Sequence, residues 1–270
     1  MSFSIAGKTA IITGAANGVG LAIARHFEAQ GANVMFADMD EEGLIAEVGE
    51  AAEREGAKVA YFAGDLRQKL TIANLLSATV DAFDGVDILV NASRQVAQSD
   101  PLSADDDNVE ALLEQNLLTA LRLTQQVAKW MIKCGEKEER TEGMLGSIVN
   151  LSSVAARRTQ PEMLAFSISS AAVEQMTRSM AVALAPCRIR VNAVAFGSVL
   201  SASLSDVLSE NPDYRDEILL GTPLARVAPA SDVAETVQYL ASEGSGFVTG
   251  QVLDVDGGRT LLDSVQAPTH

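Results

Sequence analysis

The sequence predicts a doubly wound α/β fold, with one parallel sheet of about seven strands and helices on both faces. Two observations carry this. Short runs rich in β-branched residues recur at 9–13, 33–37, 59–63, 88–90, 147–151, 189–194 and 251–255, each apolar enough for burial on both faces. The stretches between them, such as 19–30 and 111–133, have the length and apolar period of helices, which parallel neighbours require as crossovers.

The first strand runs into Thr13-Gly14-Ala15-Ala16-Asn17-Gly18-Val19-Gly20 and then a helix. Glycines there let the backbone turn tightly and approach a pyrophosphate, whose charge is stabilised by free N–H groups at a helix N-terminus. Gly14, Asn17, Gly18, Val19 and Gly20 are the candidate contacts, although a glycine cluster also serves a plain strand-to-helix turn. The second strand leads into Asp38 and Met39. An acid at that place accepts hydrogen bonds from both ribose hydroxyls and repels a 2′-phosphate. With no Arg or Lys at Ala16 or Asn17 to hold that phosphate, the nucleotide expected is NAD rather than NADP. The competing reading of Asp38 is a surface acid beside Asp40, Glu41 and Glu42. Asp65 follows the third strand, where it either reaches an adenine amino group or serves only as a turn residue.

Further along, the charge-rich patch 136–142 between a helix and the fifth strand suits a solvated loop. After the sixth strand, 197–226 reads as irregular apart from a helix-like piece at 204–209, and long ordered stretches of this kind are often functional. We expect a substrate lid there. Its apolar Leu200, Leu204, Val207, Ile218 and Leu219 include no distinctive chemical handle.

A length of 270 residues suits a single domain over 1–270, and 47% hydrophobic with 21% charged residues excludes wholesale disorder. Thirty-six acids against 20 bases give a net charge of −16, which argues against nucleic acid or an anionic membrane surface as partner. Cys134 and Cys187 have neither a disulfide framework nor metal-ligand spacing, so no metal is expected and a reducing cytoplasm fits best. Residues 1–8 lack the pattern of an export leader, and no apolar run reaches the roughly 18 residues of a membrane span.

The residues on this frame resemble the short-chain dehydrogenase/reductase family from Lys8 to Gly258, which implies a Rossmann-like nucleotide-binding domain. Thr13, Gly14, Gly18 and Gly20 meet the family's Thr-Gly-x-x-x-Gly-x-Gly pattern, and Asp65-Leu66 its Asp-Leu after the third strand. Asn91 and Ala92 open its Asn-Asn-Ala-Gly segment, Asn116 occupies the place of its helix asparagine, and residues 148–153 match its fifth strand and serine. Residues 190–194 match the sixth strand, and Asp256-Gly257-Gly258 the C-terminal signature. The resemblance implies hydride transfer between nicotinamide and an alcohol or carbonyl carbon. In it a tyrosine moves the proton, a lysine four residues later lowers the tyrosine's pKa and holds the nicotinamide ribose, and the serine and asparagine orient carbonyl and water. Gly197, Val199 and Ser201 fall where the carboxamide would be held. It also implies pairing through the helices around Asn116 and Phe166, hence a homotetramer or a hetero-oligomer with an active relative.

The departures are local. Thirteen residues after Ser153 the tyrosine position holds Phe166, and four later the lysine position holds Ser170. Phe has no exchangeable proton and Ser carries no charge, so the usual acid–base pair is missing while Ser153 and Asn116 are retained. Arg94 stands where the family has a glycine, and Phe196-Gly197 replaces its Pro-Gly. His26, His270 and Tyr61, Tyr214 and Tyr239 are the only other histidines and tyrosines; Tyr214, in the lid, reads as an ordinary contact or a substitute donor. Arg157 and Arg158 read equally as anion-binding or solvated. Two functions follow: an NAD-binding protein with absent or weak hydride transfer, or a working oxidoreductase using Ser153, Asn116 and water.

Overall fold

The computed structural model describes residues 3–103, 108–200, 204, 208–211 and 213–263. Seven parallel strands form one sheet: β1 (Thr9–Thr13), β2 (Asn33–Asp38), β3 (Val59–Ala63), β4 (Ile88–Asn91), β5 (Gly146–Ser153), β6 (Ile189–Phe196) and the last, β9 (Val252–Val255). Their order is β3-β2-β1-β4-β5-β6-β9. The chain winds outward from β1 and then returns to lay β4 on the other side of β1. That reversal opens a crevice at the carboxyl ends of β1 and β4, the place where open α/β sheets bind ligands.

Burial on both faces explains why the strands were visible as apolar runs. Along each strand alternate residues enter opposite cores. Ala10, Ile12, Val34, Phe36, Ile88, Val90 and Val149 pack on one side, with α1 (Gly18–Ala29). Ile11, Met35, Ala37, Leu89 and Ile148 pack on the other, beneath α3 (Lys69–Phe83). Buried Arg190 on β6 donates to the carbonyls of Leu240 (2.8 Å) and Ser242 (3.0 Å), where the negative end of the helix Ala230–Ala241 partly offsets its charge.

Four expectations need correction. Strands β5 and β6 run two residues beyond the apolar stretches, because their pairing continues to Ser153 opposite Phe196; both side chains are thereby delivered to the crevice. The stretch 111–133 is not one regular helix: α4 (Asn108–Leu112) passes through a π-helical turn (Leu113–Leu118) into α5 (Thr119–Lys137). That helix also takes in Glu136 and Lys137, while the rest of the charged patch is exposed. In the lid, β7 (Val199–Leu200) pairs with β8 (Ala228–Pro229), and Asp213–Leu220 is helical, although none of its residues is fully buried. Of the lid residues singled out, Ser201 and Val207 lie outside the described residues, as does His270. Among the described residues no helix is long and apolar enough to cross a membrane.

Candidate active site

The crevice is a cleft of about 1770 Å³ running from Asp38 and Met39, past Gly14 and Asn17–Gly20, to Ser153, Phe166, Phe196 and Gly197. It exceeds the roughly 300–1,000 Å³ of ordinary small-ligand pockets.

At one end the backbone is shaped by glycine. Gly14 has φ +67°, and a Cβ there would fall 2.8 Å from Ser93 Cα; at Gly20 it would fall 2.1 Å from the Gly14 carbonyl oxygen. Gly18 has φ +58° with open space where a side chain would stand. Asn17, preceding α1, is extended and its side chain caps nothing, so the first amides of α1 remain available to an anion. By contrast, α2 (Glu41–Ala52) is closed to anions by the Asp40 carboxylate, which accepts from Gly43 N, and by Glu41 and Glu42. Thr13 Oγ1 accepts from Ala92 N (3.0 Å) and Ser93 N (2.9 Å), locking the end of β1 to the chain leaving β4. Asp38 is oriented across the cleft by amides of Ala16 (3.0 Å), Met39 (2.7 Å) and Asp40 (3.1 Å), leaving part of its acceptor capacity for hydroxyls. These features fit an extended diphosphate nucleotide with free ribose hydroxyls.

Other sequence-predicted nucleotide contacts sit elsewhere. The Asp65 carboxylate is gripped by Arg67, whose hydrogen bonds hold it below the usual carboxylate range against a smaller effect of burial. It is Arg67, not Asp65, that lines the cleft. Leu66 is buried in the core under α3. Asn91 turns beneath the cleft, donating to Thr124 Oγ1 (3.0 Å) and Asn150 Oδ1 (2.8 Å), while Ala92, Gly197 and Val199 line the cleft itself.

At the other end, Ser153 reaches the cleft with its Oγ accepting from Ala155 N (3.2 Å), so its hydroxyl proton is free to donate. Phe166, on α6 (Leu164–Leu184), lies at the same wall. Ser170, one turn on, is buried beside a closed chamber of about 10 Å³, at the threshold for one water, which Asn91, Arg94, Asn116 and Phe166 also line. Asn116 sits in the π-helical turn and is spent on positioning. Its Oδ1 accepts from Gln95 N (2.8 Å), and its Nδ2 donates to Gln95 O (2.9 Å) and Ser169 Oγ (3.1 Å), tying the loop after β4 to α6.

The feature that sequence reasoning located but did not place is Arg94. Its guanidinium lies 4.0 Å from the Phe196 ring centre and 5.6 Å from that of Phe166, and Nη1 donates to Ser152 O (3.3 Å). Burial pushes it down to about 10, so it is still charged at neutral pH. Arg157 forms ion pairs with Asp254 and with Glu174 (3.4 Å), a structural use, whereas Arg158 lines the cleft. Tyr214 is exposed and is absent from the cleft wall, as are Tyr61 and Tyr239.

Residues 14–260 match the family model described as enoyl-(acyl carrier protein) reductase. Among similar characterised proteins, the 3-oxoacyl-[acyl-carrier-protein] reductase of Thermotoga maritima is 34% identical, over 94% of this chain and 98% of that protein. The A-factor type γ-butyrolactone 1′-reductase of Streptomyces virginiae is 32% identical, over 94% and 96%. Among solved structures, a 7α-hydroxysteroid dehydrogenase complexed with NADH and 7-oxo glycochenodeoxycholic acid is 30% identical and superimposes with a TM-score of 0.85 over 95% of each chain.

Proposed function

This chain belongs to the short-chain dehydrogenase/reductase family of oxidoreductases, and within it we propose an NAD(H)-binding protein whose hydride-transfer activity is absent or weak, acting by binding or as the partner of an active relative. One observation carries the reading: along a single cleft the glycine-shaped end is complete, whereas the opposite wall presents the Phe166 ring and, behind it, uncharged Ser170.

NAD(H) is the cofactor; the amides of Gly18–Gly20 and the Asp38 carboxylate would hold it, and the 30%-identical dehydrogenase carries NADH in the same fold. Bound NADH supplies a hydride. Turnover would require this chain to accept or deliver the matching proton. A phenol titrates near ~10 and serves near neutrality only beside a cation, and Phe166 has no exchangeable proton. Ser153 can donate a hydrogen bond to a ligand oxygen, which orients it without changing its charge.

The free Ser153 hydroxyl also supports a second reading, a working oxidoreductase in which Ser153, Asn116 and water polarise a carbonyl. Against it, three of the four hydrogen-bonding positions of the Asn116 amide are occupied by Gln95 and Ser169. Calorimetric titration with NADH and NADPH, followed by NADH oxidation across a carbonyl panel, separates the two. Binding of NADH in preference to NADPH without turnover supports the first reading, and measurable oxidation supports the second.

The same proposal extends to assembly. A homotetramer, paired through α5 and α6, accords with the exposed Ile168 and Val182 on α6. A monomer mass by light scattering at micromolar concentration would contradict it.

A further inference from the structure

Arg94 is, among the described residues, a cation without a counter-charge. Among the described residues the ion pairs engage Lys8, Arg25, Arg67, Arg122, Arg157, Arg178 and Arg226, but not Arg94. This is notable in a chain with 36 acids and 20 bases, because none of the described carboxylates forms an ion pair with this guanidinium. A single hydrogen bond to Ser152 O and two ring faces hold the guanidinium but do not neutralise it. Nor is it sealed in. Arg94 is half-buried and lines the cleft between Ser93 and Gln95, with Ser153 and Phe166 also on the lining.

The geometry points to Arg94 as an anion anchor: the ligand at the chemical end of the cleft carries a carboxylate that pairs with this guanidinium near Ser153. Nη1 is committed to Ser152 O, which leaves the Nε–Nη2 edge for a planar, two-oxygen partner. The rings of Phe196 and Phe166, 4.0 and 5.6 Å from the guanidinium carbon, and the Ser152 carbonyl limit its freedom, so the pairing needs less further ordering. The substrate or effector class is thus an organic acid rather than a neutral alcohol or ketone. The inference rests on the nucleotide reading only for which end of the cleft the ligand takes.

Benzoate and benzamide, equal in shape and different in charge, are suitable probes, with inorganic phosphate as a third. Ligand-observed NMR on the full chain, with and without saturating NADH, should show benzoate binding at least about tenfold tighter than benzamide and tighter than phosphate. Arg94→Met should weaken benzoate at least about tenfold while leaving benzamide and NADH within about twofold. Arg94→Lys, which keeps the charge, should retain the preference for acid over amide and guards against a Met variant that does not fold. Equal binding of acid and amide by the parent overturns the proposal, as does benzoate binding that survives Arg94→Met in a folded protein. It is also overturned if NADH displaces benzoate and Arg94→Met weakens NADH about tenfold, for the anion would then be a cofactor phosphate. The two readings fail separately. Acid preference without NADH binding defeats the nucleotide reading alone, and NADH binding without acid preference defeats this one alone.

Discussion

The two ends of the cleft are built from different materials. At the nucleotide end, contacts come mainly from backbone, the tight glycine turn and the open amides of α1, joined by one side chain, an aspartate fixed by three N–H groups. At the chemical end they come from side chains: Ser153, Phe166 and Arg94 on the cleft, with Ser170 behind Phe166. Backbone shape is tied to the sheet and changes only if the fold changes. Side-chain chemistry can be exchanged one residue at a time while the helix carrying it stays in place. A protein can therefore keep a nucleotide cleft while losing the groups that act beside it.

The comparison breaks first, and most severely, at Gly20. A Cβ there meets the Gly14 carbonyl at 2.1 Å, a backbone atom that can move only with the whole turn. Gly20→Val should reduce NADH affinity at least about 100-fold in a protein whose far-UV circular dichroism is retained. Affinity within a few-fold of the parent would show that the turn is not what holds the nucleotide.

Next in size is Asn116, which the comparison assigns to architecture. Asn116→Ala removes the partner of the Gln95 amide and carbonyl and one donor to Ser169 Oγ, which still donates to Phe166 O, at a cost of about 2–3 kcal/mol in urea unfolding. A loss well under 1 kcal/mol would return Asn116 to a role toward ligand.

A smaller change is expected at Asp38. Removing its carboxylate with Asp38→Ala should narrow the ratio of NADH to NADPH affinity by about tenfold, read by calorimetry. An unchanged ratio would assign selectivity elsewhere, with Arg67 on the same wall the first place to look.

Much of this was readable in the sequence because the physics that fixes it is local or periodic. Strands such as β2 and β4 are buried on both faces, so each appears as an apolar run, and the glycines of 14–20 follow directly on β1. What escaped depends on contacts distant along the chain. Arg94 settles against Phe196, about a hundred residues away, and nothing near position 94 announces it. The π-helical turn arises where buried Asn116 binds Gln95 across a loop; an asparagine inside an apolar helix was the available signal. Asp65 reads either toward adenine or as a turn residue, and its ion pair with Arg67 two residues on is a contact that the spacing could have suggested.

The central claim, that a sound nucleotide cleft faces a wall without its acid–base pair, is tested most directly by putting the pair back. NADH oxidation over a carbonyl panel is compared for the parent, Phe166→Tyr, Ser170→Lys, both together, and both with Arg94→Gly. The account predicts a silent parent, little from either single change, and a gain of about 100-fold or more when phenol and ammonium stand together, strongly non-additive. A parent already as active as the double variant would contradict it and reveal another proton donor in the cleft.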